Sequence, residues 1–260
     1  MLLVMDVGNT NAQLGIYDGS RLVKDWRIHT ERHTTEDEFN VLVGGLLSGS
    51  GINAQDIEKT IISCVVPTMV NILDSFCQKY LGHVPHWVDA RSAQAMPVGY
   101  CNPAEVGADR IVNAVAAFHK FKTSLIVIDF GTATTFDAIS SKGAYLGGAI
   151  SPGILISAEA LFMKASKLPR VEIFHPPQKV IGTDTISSIK SGIIFGYAGL
   201  VDGIVRRMMK EMKITPRIIA TGGLATLMAG VCDTIEEVDP TLTLEGLRII
   251  YELLENQTDL

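Results

Sequence analysis

Two short polar segments of the chain contain residue types that together can bind phosphate groups and a metal ion. The first is Asp-Val-Gly-Asn-Thr-Asn at residues 6–11, and the second is Asp-Phe-Gly-Thr-Ala-Thr at residues 129–134. A carboxylate can hold a cation, a glycine lets backbone N–H groups approach an anion, and Thr or Asn adds side-chain donors. Each segment follows an apolar run and precedes another strand-like stretch, which predicts a strand, a tight polar turn and a second strand in each half.

Either turn alone has a simpler explanation, because Asp-x-Gly after an apolar strand also forms ordinary hairpin turns. The pair occurs on matching strands of two half-chains, and this favours the functional interpretation. Two such turns facing each other would hold the phosphates of a nucleotide together with its metal ion.

A third candidate segment, residues 99–110, reads Gly-Tyr-Cys-Asn-Pro-Ala-Glu-Val-Gly-Ala-Asp-Arg. Its glycines and proline predict a shaped loop that suits closure over a small molecule. Asp109 and Arg110 stand near a predicted helix start, where such a pair is often only a cap and a salt bridge. The functional alternative is that Asp109 faces a substrate hydroxyl, while Arg110 faces an anionic or polar group.

Two glycine-rich turns are further candidates for close contact with a ligand. A predicted strand at residues 217–221 ends in Gly222-Gly223, which would let a flat ring or a phosphate lie close to the backbone. Residues 147–153 form another such turn, and we expect it to face the same cleft.

Composition restricts the class of protein. The chain has 260 residues, of which 47% are hydrophobic and 19% charged, enough for one large domain or two smaller ones. The net charge of −6 and a pI near 5.5 argue against nucleic acid as a partner. The chain begins directly in a strand without a secretory signal, and no apolar run reaches the roughly 18 residues of a membrane span. We therefore expect a cytoplasmic protein with no membrane association.

Cysteine and histidine spacing indicates no metal site. The cysteines lie in or beside apolar segments without a CxxC pair, so reduced and mostly buried thiols are expected. They are Cys64, Cys77, Cys101 and Cys232. The histidine pairs 29/33 and 83/86 have no ligand companions and are interpreted as surface residues.

Periodicity and turn signals predict the elements that position these segments. In the first half they are strands near 2–7, 12–17, 22–29, 57–66 and 85–88, with helices near 35–48, 68–81 and 104–121. In the second half they are strands at 124–129, 135–139, 145–150 and 217–221, with helices near 153–167, 184–211 and 244–255 and a short helix after 223. This order predicts an α/β fold with two halves, residues 1–121 and 122–260, each a mixed sheet flanked by helices, with a cleft between them.

The long helix at 184–211 has apolar residues over more of its surface than the roughly 100° stripe that one core requires. A second subunit is one partner that could cover the excess, and the other half of the same chain is the alternative.

The chain resembles the type III pantothenate kinases, which belong to the superfamily of acetate and sugar kinases, actin and heat-shock chaperones. Its motifs occur along the chain in the same order as the motifs of that family. The matching segments are residues 6–11, Asn102-Pro103, residues 107–110, residues 129–137 and residues 221–223. The match spans essentially the whole chain, and Gly-Ala-Asp-Arg after Asn-Pro is its most discriminating part. The resemblance implies two ribonuclease H-like (actin-like ATPase) halves.

The implied activity is ATP-dependent phosphorylation of pantothenate to 4′-phosphopantothenate, the first step toward coenzyme A. The resemblance also implies a homodimer that uses Mg²⁺ and a monovalent cation, K⁺ or NH₄⁺. Neither turn contains a lysine and the P-loop pattern is absent. Since charge neutralisation dominates phosphoryl transfer, these cations are expected to supply the positive charge.

The resemblance assigns roles residue by residue. ATP and its metal would be held by Asp6, Val7, Gly8, Asn9, Thr10, Asn11, Ala12 and Gln13, and ATP also by Thr132, Gly222 and Gly223. Pantothenate would contact Tyr100, Gly107, Ala108, Asp109 and Arg110. Asp109 would be the catalytic base, and Asp129 would bind the monovalent cation. Thr185, or its neighbour Asp184, would reach pantothenate across the dimer interface.

Two other function classes are alternatives to this one. A different small-molecule kinase of the same superfamily would act on a sugar or a carboxylate, and residues 99–110 discriminate against it. A regulatory protein built on a kinase scaffold would be expected to carry a DNA-binding appendage and a basic face, whereas this chain is acidic.

Overall fold

The computed structural model describes residues 1–88 and 95–258 and forms two compact units. Unit 1 comprises Met1–Pro97, Cys101–Ala116 and Thr243–Leu260, and unit 2 comprises Val98–Tyr100 and Ala117–Leu242. The C-terminal segment therefore belongs to unit 1 although it follows unit 2 in the sequence. The division of the chain after residue 121 stays a prediction.

Unit 1 is built on a five-stranded mixed sheet in the order β3-β2-β1-β4-β5. Its strands are β1 (Leu2–Val7), β2 (Asn11–Asp18), β3 (Arg21–His29), β4 (Lys59–Cys64) and β5 (His86–Trp87). Its helices are α1 (Glu36–Gly49), α2 (Pro67–Phe76) and α7 (Leu242–Thr258), and α3 (Ala108–Phe121) begins in it. β1 pairs antiparallel with β2 and parallel with β4.

Unit 2 repeats this topology with different residues. Its strands are β6 (Leu125–Phe130), β7 (Ala133–Ile139), β8 (Tyr145–Pro152), β9 (Arg217–Thr221) and β10 (Glu237–Val238). They are ordered β8-β7-β6-β9-β10, with β6 antiparallel to β7 and parallel to β9. The helices are α4 (Ile154–Lys164), α5 (Thr185–Met212) and α6 (Ala225–Ala229). The two sheets therefore place their first strands, β1 and β6, at equivalent central positions.

Helix α1 covers one face of the first sheet and begins at a complete capping box. The Thr35 hydroxyl accepts a hydrogen bond from the Glu38 backbone N–H, and the Glu38 carboxylate accepts one from the Thr35 N–H. These bonds satisfy two backbone donors that would otherwise lack partners at the helix start. Phe39 and Val43 then pack into the same core as Met5 of β1, so local residues determine both the start and the buried face of this helix.

Helix α5 packs along the second sheet and carries most of the helical side of the core of unit 2. Ile194 and Val201 are fully buried against Ile128 of β6. The helix is long and apolar enough to cross a membrane by length and composition, and 44% of its most apolar window is buried. A core helix meets the same two criteria, so this property is weak evidence for a membrane span.

Several predicted boundaries differ from the structure. Helix α3 begins at Ala108 and not near 104, because Pro103–Glu105 form a separate 3₁₀ turn. Helix α4 ends at Lys164 and not at 167, since Ala165 has an extended backbone. The strand predicted at 57–66 is shorter, and the helix predicted to 81 changes at Cys77 into a single π-helical turn. The two-residue strand β10 was not predicted.

Candidate active site

The first phosphate turn joins β1 to β2. Asp6, the last but one residue of β1, is aligned with Gln13 on β2 and with Ser63 on β4. The Gly8 N–H donates to the Asn11 carbonyl at 3.1 Å and closes the turn. Asp6 is half-buried and Asn9 is exposed. A carboxylate and polar side chains therefore lie at the end of a buried strand, as predicted.

A segment that follows β3 supports this turn, although no sequence pattern indicated it. The buried Thr30 donates its hydroxyl to the Gly8 carbonyl at 2.7 Å, and its N–H donates to the Thr10 carbonyl at 3.0 Å. The Arg32 guanidinium donates through Nη2 to Asn9 Oδ1 at 3.0 Å. A cationic side chain thus contacts a turn that itself contains no lysine.

The second phosphate turn joins β6 to β7 and repeats the first with one residue fewer. Asp129 again occupies the last but one position of the strand and is aligned with Thr135 and Thr221. The Gly131 N–H donates to the Ala133 carbonyl at 3.1 Å, as Gly8 does in the first turn. Thr132 is exposed at the tip. The predicted duplication is therefore present in the strand positions as well as in the sequence.

Glycines surround this second turn where no side chain would fit. Gly222 has a φ of +91°, and a Cβ there would collide with the Asp129 carboxylate and the Phe130 backbone. A Cβ on Gly153 would collide with the Thr132 carbonyl, which accepts the Gly153 N–H at 3.1 Å. The structure thus brings predicted Gly222 and Asp129 into direct contact, whereas Gly223 is exposed beside them.

Tyr197 of α5 ties the second turn to the end of β8. Its hydroxyl lies 2.7 Å from the Thr134 hydroxyl and 2.7 Å from the Pro152 carbonyl oxygen. It also lies 3.1 Å from the Ser151 hydroxyl. The sequence indicated no role for Tyr197 beyond its place in the long apolar helix at 184–211, because these contacts join residues 45 or more positions apart.

The predicted substrate loop ends in the first turn of α3. A Cβ on Gly107 would lie 2.5 Å from Asp109 Oδ1, so the carboxylate occupies the space that a side chain at 107 would fill. The same Oδ1 accepts the Arg110 N–H at 2.9 Å. Asp109 stays partly exposed, whereas the Arg110 side chain is buried. The Gly-Ala-Asp-Arg motif therefore has a steric reason for its glycine.

Tyr100 belongs to unit 2, where its ring lies against Tyr145 with a centroid separation of 6.4 Å. The Gly99 N–H donates to the Tyr145 carbonyl at 2.8 Å, and the Tyr145 hydroxyl donates to the fully buried Asp137 carboxylate at 2.7 Å. Asp137 lies in the 129–137 motif but had no assigned role. Its hydrogen bond indicates that Asp137 holds in place the Tyr145 ring against which Tyr100 packs.

Thr185 lies on a groove of about 590 Å³ within unit 2, beside the start of α5. Asp184 is the helix cap, since its carboxylate accepts the Ser187 N–H at 2.9 Å, and these hydrogen bonds lower its pKa. This capping engages the Asp184 carboxylate, which leaves Thr185 as the better candidate for a substrate contact. Apolar side chains, including Leu161 and Ile189, line the rest of the groove.

Each phosphate turn, taken by itself, offers a carboxylate that suits a hard divalent cation. In the described ranges, 1–88 and 95–258, no cluster of three or more His, Cys, Asp or Glu side chains forms a protein-only cage. Mg²⁺ bound with a nucleotide does not require one, because one or two carboxylates, phosphate oxygens and water complete its shell. The half-buried Asp6 and Asp129, at equivalent strand ends, offer such oxygens.

The thiols are less uniformly buried than predicted. Burial raises the pKa of the Cys77 and Cys232 thiols to about 12. Cys64 is half-buried, and Cys101 is exposed beside Tyr100.

The histidines also differ in exposure. His29 and His33 are exposed as predicted. His83 is half-buried and lies 2.8 Å from the Thr60 hydroxyl, and burial lowers its pKa.

Comparison with known proteins gives one consistent family. A family model described as type III pantothenate kinase matches residues 2–207. A type III pantothenate kinase from Desulfatibacillum aliphaticivorans is 65% identical over 256 residues, which covers 98% of this chain and 100% of that relative.

Solved structures with the same fold are more distant in sequence. A Campylobacter jejuni protein described as a Baf family transcriptional activator has a TM-score of 0.59 at 19% identity, covering 98% of this chain and 99% of its own. Component A of (R)-2-hydroxyglutaryl-CoA dehydratase from Acidaminococcus fermentans has a TM-score of 0.55 at 15% identity, covering 96% of each chain. At these identities the likeness concerns the fold alone. With the two equally ordered sheets, it confirms the predicted fold class of two ribonuclease H-like halves.

Proposed function

The chain belongs to the type III pantothenate kinase family, and we propose that the residues described above carry the reaction of that family. The protein is a kinase that phosphorylates pantothenate in coenzyme A biosynthesis, with ATP and a divalent metal. Which residues perform each part of that reaction is our proposal, and it combines their geometry with the chemistry of phosphoryl transfer.

We propose that Asp109 is the general base. A pantothenate hydroxyl oxygen forms a bond to the γ-phosphorus as the bond from that phosphorus to the ADP oxygen breaks, and the hydroxyl proton passes to the Asp109 carboxylate. The transfer is late, because an alcohol becomes acidic only as its oxygen bonds to phosphorus. The carrying observation is the partly exposed Asp109 carboxylate, positioned over Gly107 in the first turn of α3.

ATP is proposed to bind through both phosphate turns, residues 6–13 and Thr132, with Gly222 and Gly223 near the adenosine. The equivalent positions of Asp6 and Asp129 support this assignment, since each offers oxygens at a strand end. Mg²⁺, when bound, neutralises charge on the phosphates. The two turns orient the triphosphate group of ATP.

Asp129 is the proposed ligand of a monovalent cation, K⁺ or NH₄⁺. Its carboxylate lies against backbone at Gly222, and carboxylate and carbonyl oxygens suit a hard cation. Activity should rise strongly when K⁺ or NH₄⁺ replaces Na⁺ at equal ionic strength, and Asp129→Ala should remove that response. Equal wild-type rates in all three salts would contradict the assignment.

Pantothenate is proposed to contact Tyr100 and residues 107–110, with Thr185 contributed by a second subunit of a homodimer. The glycines at 192, 196 and 199 on α5 support a second subunit, because a Cβ at any of them would meet no described atom within 4 Å. Exposed apolar side chains of α4, such as Leu155 and Met163, support it further. The cytoplasm is the proposed location.

The function is tested by measuring ADP release with pantothenate present or omitted. Release should depend on pantothenate and should not be supported by sugars or simple carboxylates at the same concentration. ADP release that is faster with a sugar than with pantothenate would favour the alternative small-molecule kinase. Mass spectrometry of the product should give 4′-phosphopantothenate.

A further inference from the structure

Neither phosphate turn contains a basic residue, although ATP carries several negative charges. The whole chain has a net charge of −6, and Asp6 adds a carboxylate at the first turn. An anion held near carboxylates is repelled unless positive charge lies close to it. A protein cation that lies next to the turn, though distant in sequence, would lower this repulsion.

Arg32 is such a cation. Its Nη2 lies 3.0 Å from Asn9 Oδ1 and 3.4 Å from the Asn9 carbonyl oxygen, so the guanidinium contacts the tip of the first turn. Within the described part of the chain, the Arg32 side chain makes polar contacts with Asn9 and with no other residue. A guanidinium has five N–H donors. The remaining donors can therefore bind an anion while Nη2 stays on the turn.

The backbone on both sides of Arg32 is held in place. Thr30 is bonded to Gly8 and Thr10 of the same turn. After Arg32, helix α1 begins at the Thr35 capping box. Two fixed points separated by a few residues restrict where the Arg32 side chain can reach, and this reduces the entropy lost when it binds a ligand.

The nearest carboxylate in the sequence does not neutralise Arg32. Glu31 Oε1 accepts the His33 N–H at 3.2 Å, and the described part of the chain contains no ion pair of Arg32. Arg32 is also exposed. Its charge is thus available at the turn.

We propose that the Arg32 guanidinium binds the phosphate groups of ATP beside the first phosphate turn. This rests on the proposed function of residues 6–13 as phosphate ligands. A planar guanidinium can bind two phosphate oxygens through parallel N–H bonds, which a lysine cannot do. Arg32 therefore takes the role that the lysine of a P-loop has in other nucleotide-binding proteins.

The test compares Arg32→Gln with Arg21→Gln, which removes an exposed arginine at the start of β3. Binding of ATP and of adenosine is measured by calorimetry at saturating Mg²⁺, and thermal stability is measured in parallel. Arg32→Gln should weaken ATP binding by about 10- to 100-fold, the usual effect of losing charge-assisted bonds, and should leave adenosine binding unchanged. Arg32→Lys should give an intermediate affinity, and Arg21→Gln should match the wild type.

An ATP affinity of Arg32→Gln within twofold of wild type would overturn the proposal. An equal loss for ATP and adenosine would also overturn it, because Arg32 would then act only by shaping the turn. Asp6→Asn separates this result from a failure of the proposed function. If Asp6→Asn weakens binding of ATP with Mg²⁺ and Arg32→Gln does not, only the role of Arg32 is wrong. If neither variant changes it, the turn is not the phosphate site, and both proposals fail.

Discussion

The carboxylates of the proposed base and of the proposed cation ligand have the same local arrangement. Each occupies space that is open only because a nearby residue is glycine. Asp109 lies over Gly107, and Asp129 lies against Gly222. A methyl group at either glycine would displace an oxygen atom from its position. The glycines of both motifs therefore matter for where a carboxylate sits as well as for backbone freedom.

Replacing Asp109 by Asn tests the base directly. The amide keeps the shape of the side chain and loses the proton acceptor, so kcat should fall by about 10²–10⁴ while the folded state and pantothenate binding persist. Steady-state kinetics and pantothenate titration of the folded variant provide the measurement. A loss in kcat smaller than threefold would remove Asp109 from the role of base.

The thiols should react with a disulfide reagent in a graded order. A thiol reacts as its thiolate, so the raised pKa values of Cys77 and Cys232, about 12, make both inert at pH 8 in the folded protein. The exposed Cys101 should react first, the half-buried Cys64 more slowly, and the other two only after unfolding. A Cys101→Ser variant should lose the fast phase.

Pantothenate should slow the fast phase, because Cys101 is adjacent to the proposed ligand Tyr100. ATP alone should protect it less. Equal reaction rates with and without saturating pantothenate would place residues 100 and 101 away from the substrate.

At the scale of elements, the two units have different sequences but the same order of strands in their sheets. The turn in unit 1 is supported by the segment after β3, whereas the turn in unit 2 is supported by Tyr197 of α5. The position of the turn at the end of the first strand is thus the same in both units, whereas the residues that hold the turn in place differ.

Tyr197→Phe should weaken ATP binding through the second turn. The change removes one hydroxyl that contacts Thr134 and the Pro152 carbonyl. Unfolding free energy should fall by about 1 kcal/mol from the lost hydrogen bonding. Because the lost contacts also leave the second turn less firmly held, KM for ATP should rise several-fold while KM for pantothenate stays constant.

Tyr145→Phe is the matched control for this variant, since it removes one buried hydroxyl from the Asp137 contact. It should cost similar stability and should instead raise KM for pantothenate. If both variants lose stability and neither changes a KM selectively, the two tyrosines have only a structural role.

Local signals predicted most elements correctly, and the failures have physical causes. The capping residues Thr35 and Glu38 locate the start of α1, because that information is contained in a few neighbouring positions. The strand β10 has two residues and forms only through pairing with β9, which no local pattern encodes. Arg32 contacts Asn9 across 23 positions, and no local pattern encodes a contact between residues so far apart in the sequence.

At the scale of the whole molecule, the open glycine face of α5 tests the proposed homodimer. Each glycine inside a helix costs about 0.5–1 kcal/mol relative to alanine, so such a face needs a compensating contact. Gly196→Ala should stabilise the isolated helix and, if two subunits approach closely there, weaken association. Light scattering across protein concentrations should give twice 28.1 kDa for the wild type and a lower apparent mass for the variant at low concentration.

Mixed dimers test whether the active site is shared. Asp109→Asn and Thr185→Ala subunits, each of low activity alone, should regain activity when mixed, because hybrid dimers contain one intact composite site. A monomer with full activity at assay dilution would contradict the shared site and leave the kinase function unaffected.

Helix α7 is synthesised after the whole of unit 2, yet it completes unit 1, where Gly246 contacts the backbone of Val112 so closely that a side chain would not fit. The intervening residues 117–242 take about 6 to 25 s to translate at typical rates. During that time the sheet of unit 1 lacks α7, and the apolar face that α7 will cover stays exposed. Folding on the ribosome therefore cannot proceed strictly from the N-terminus, and unit 2 has the opportunity to fold first.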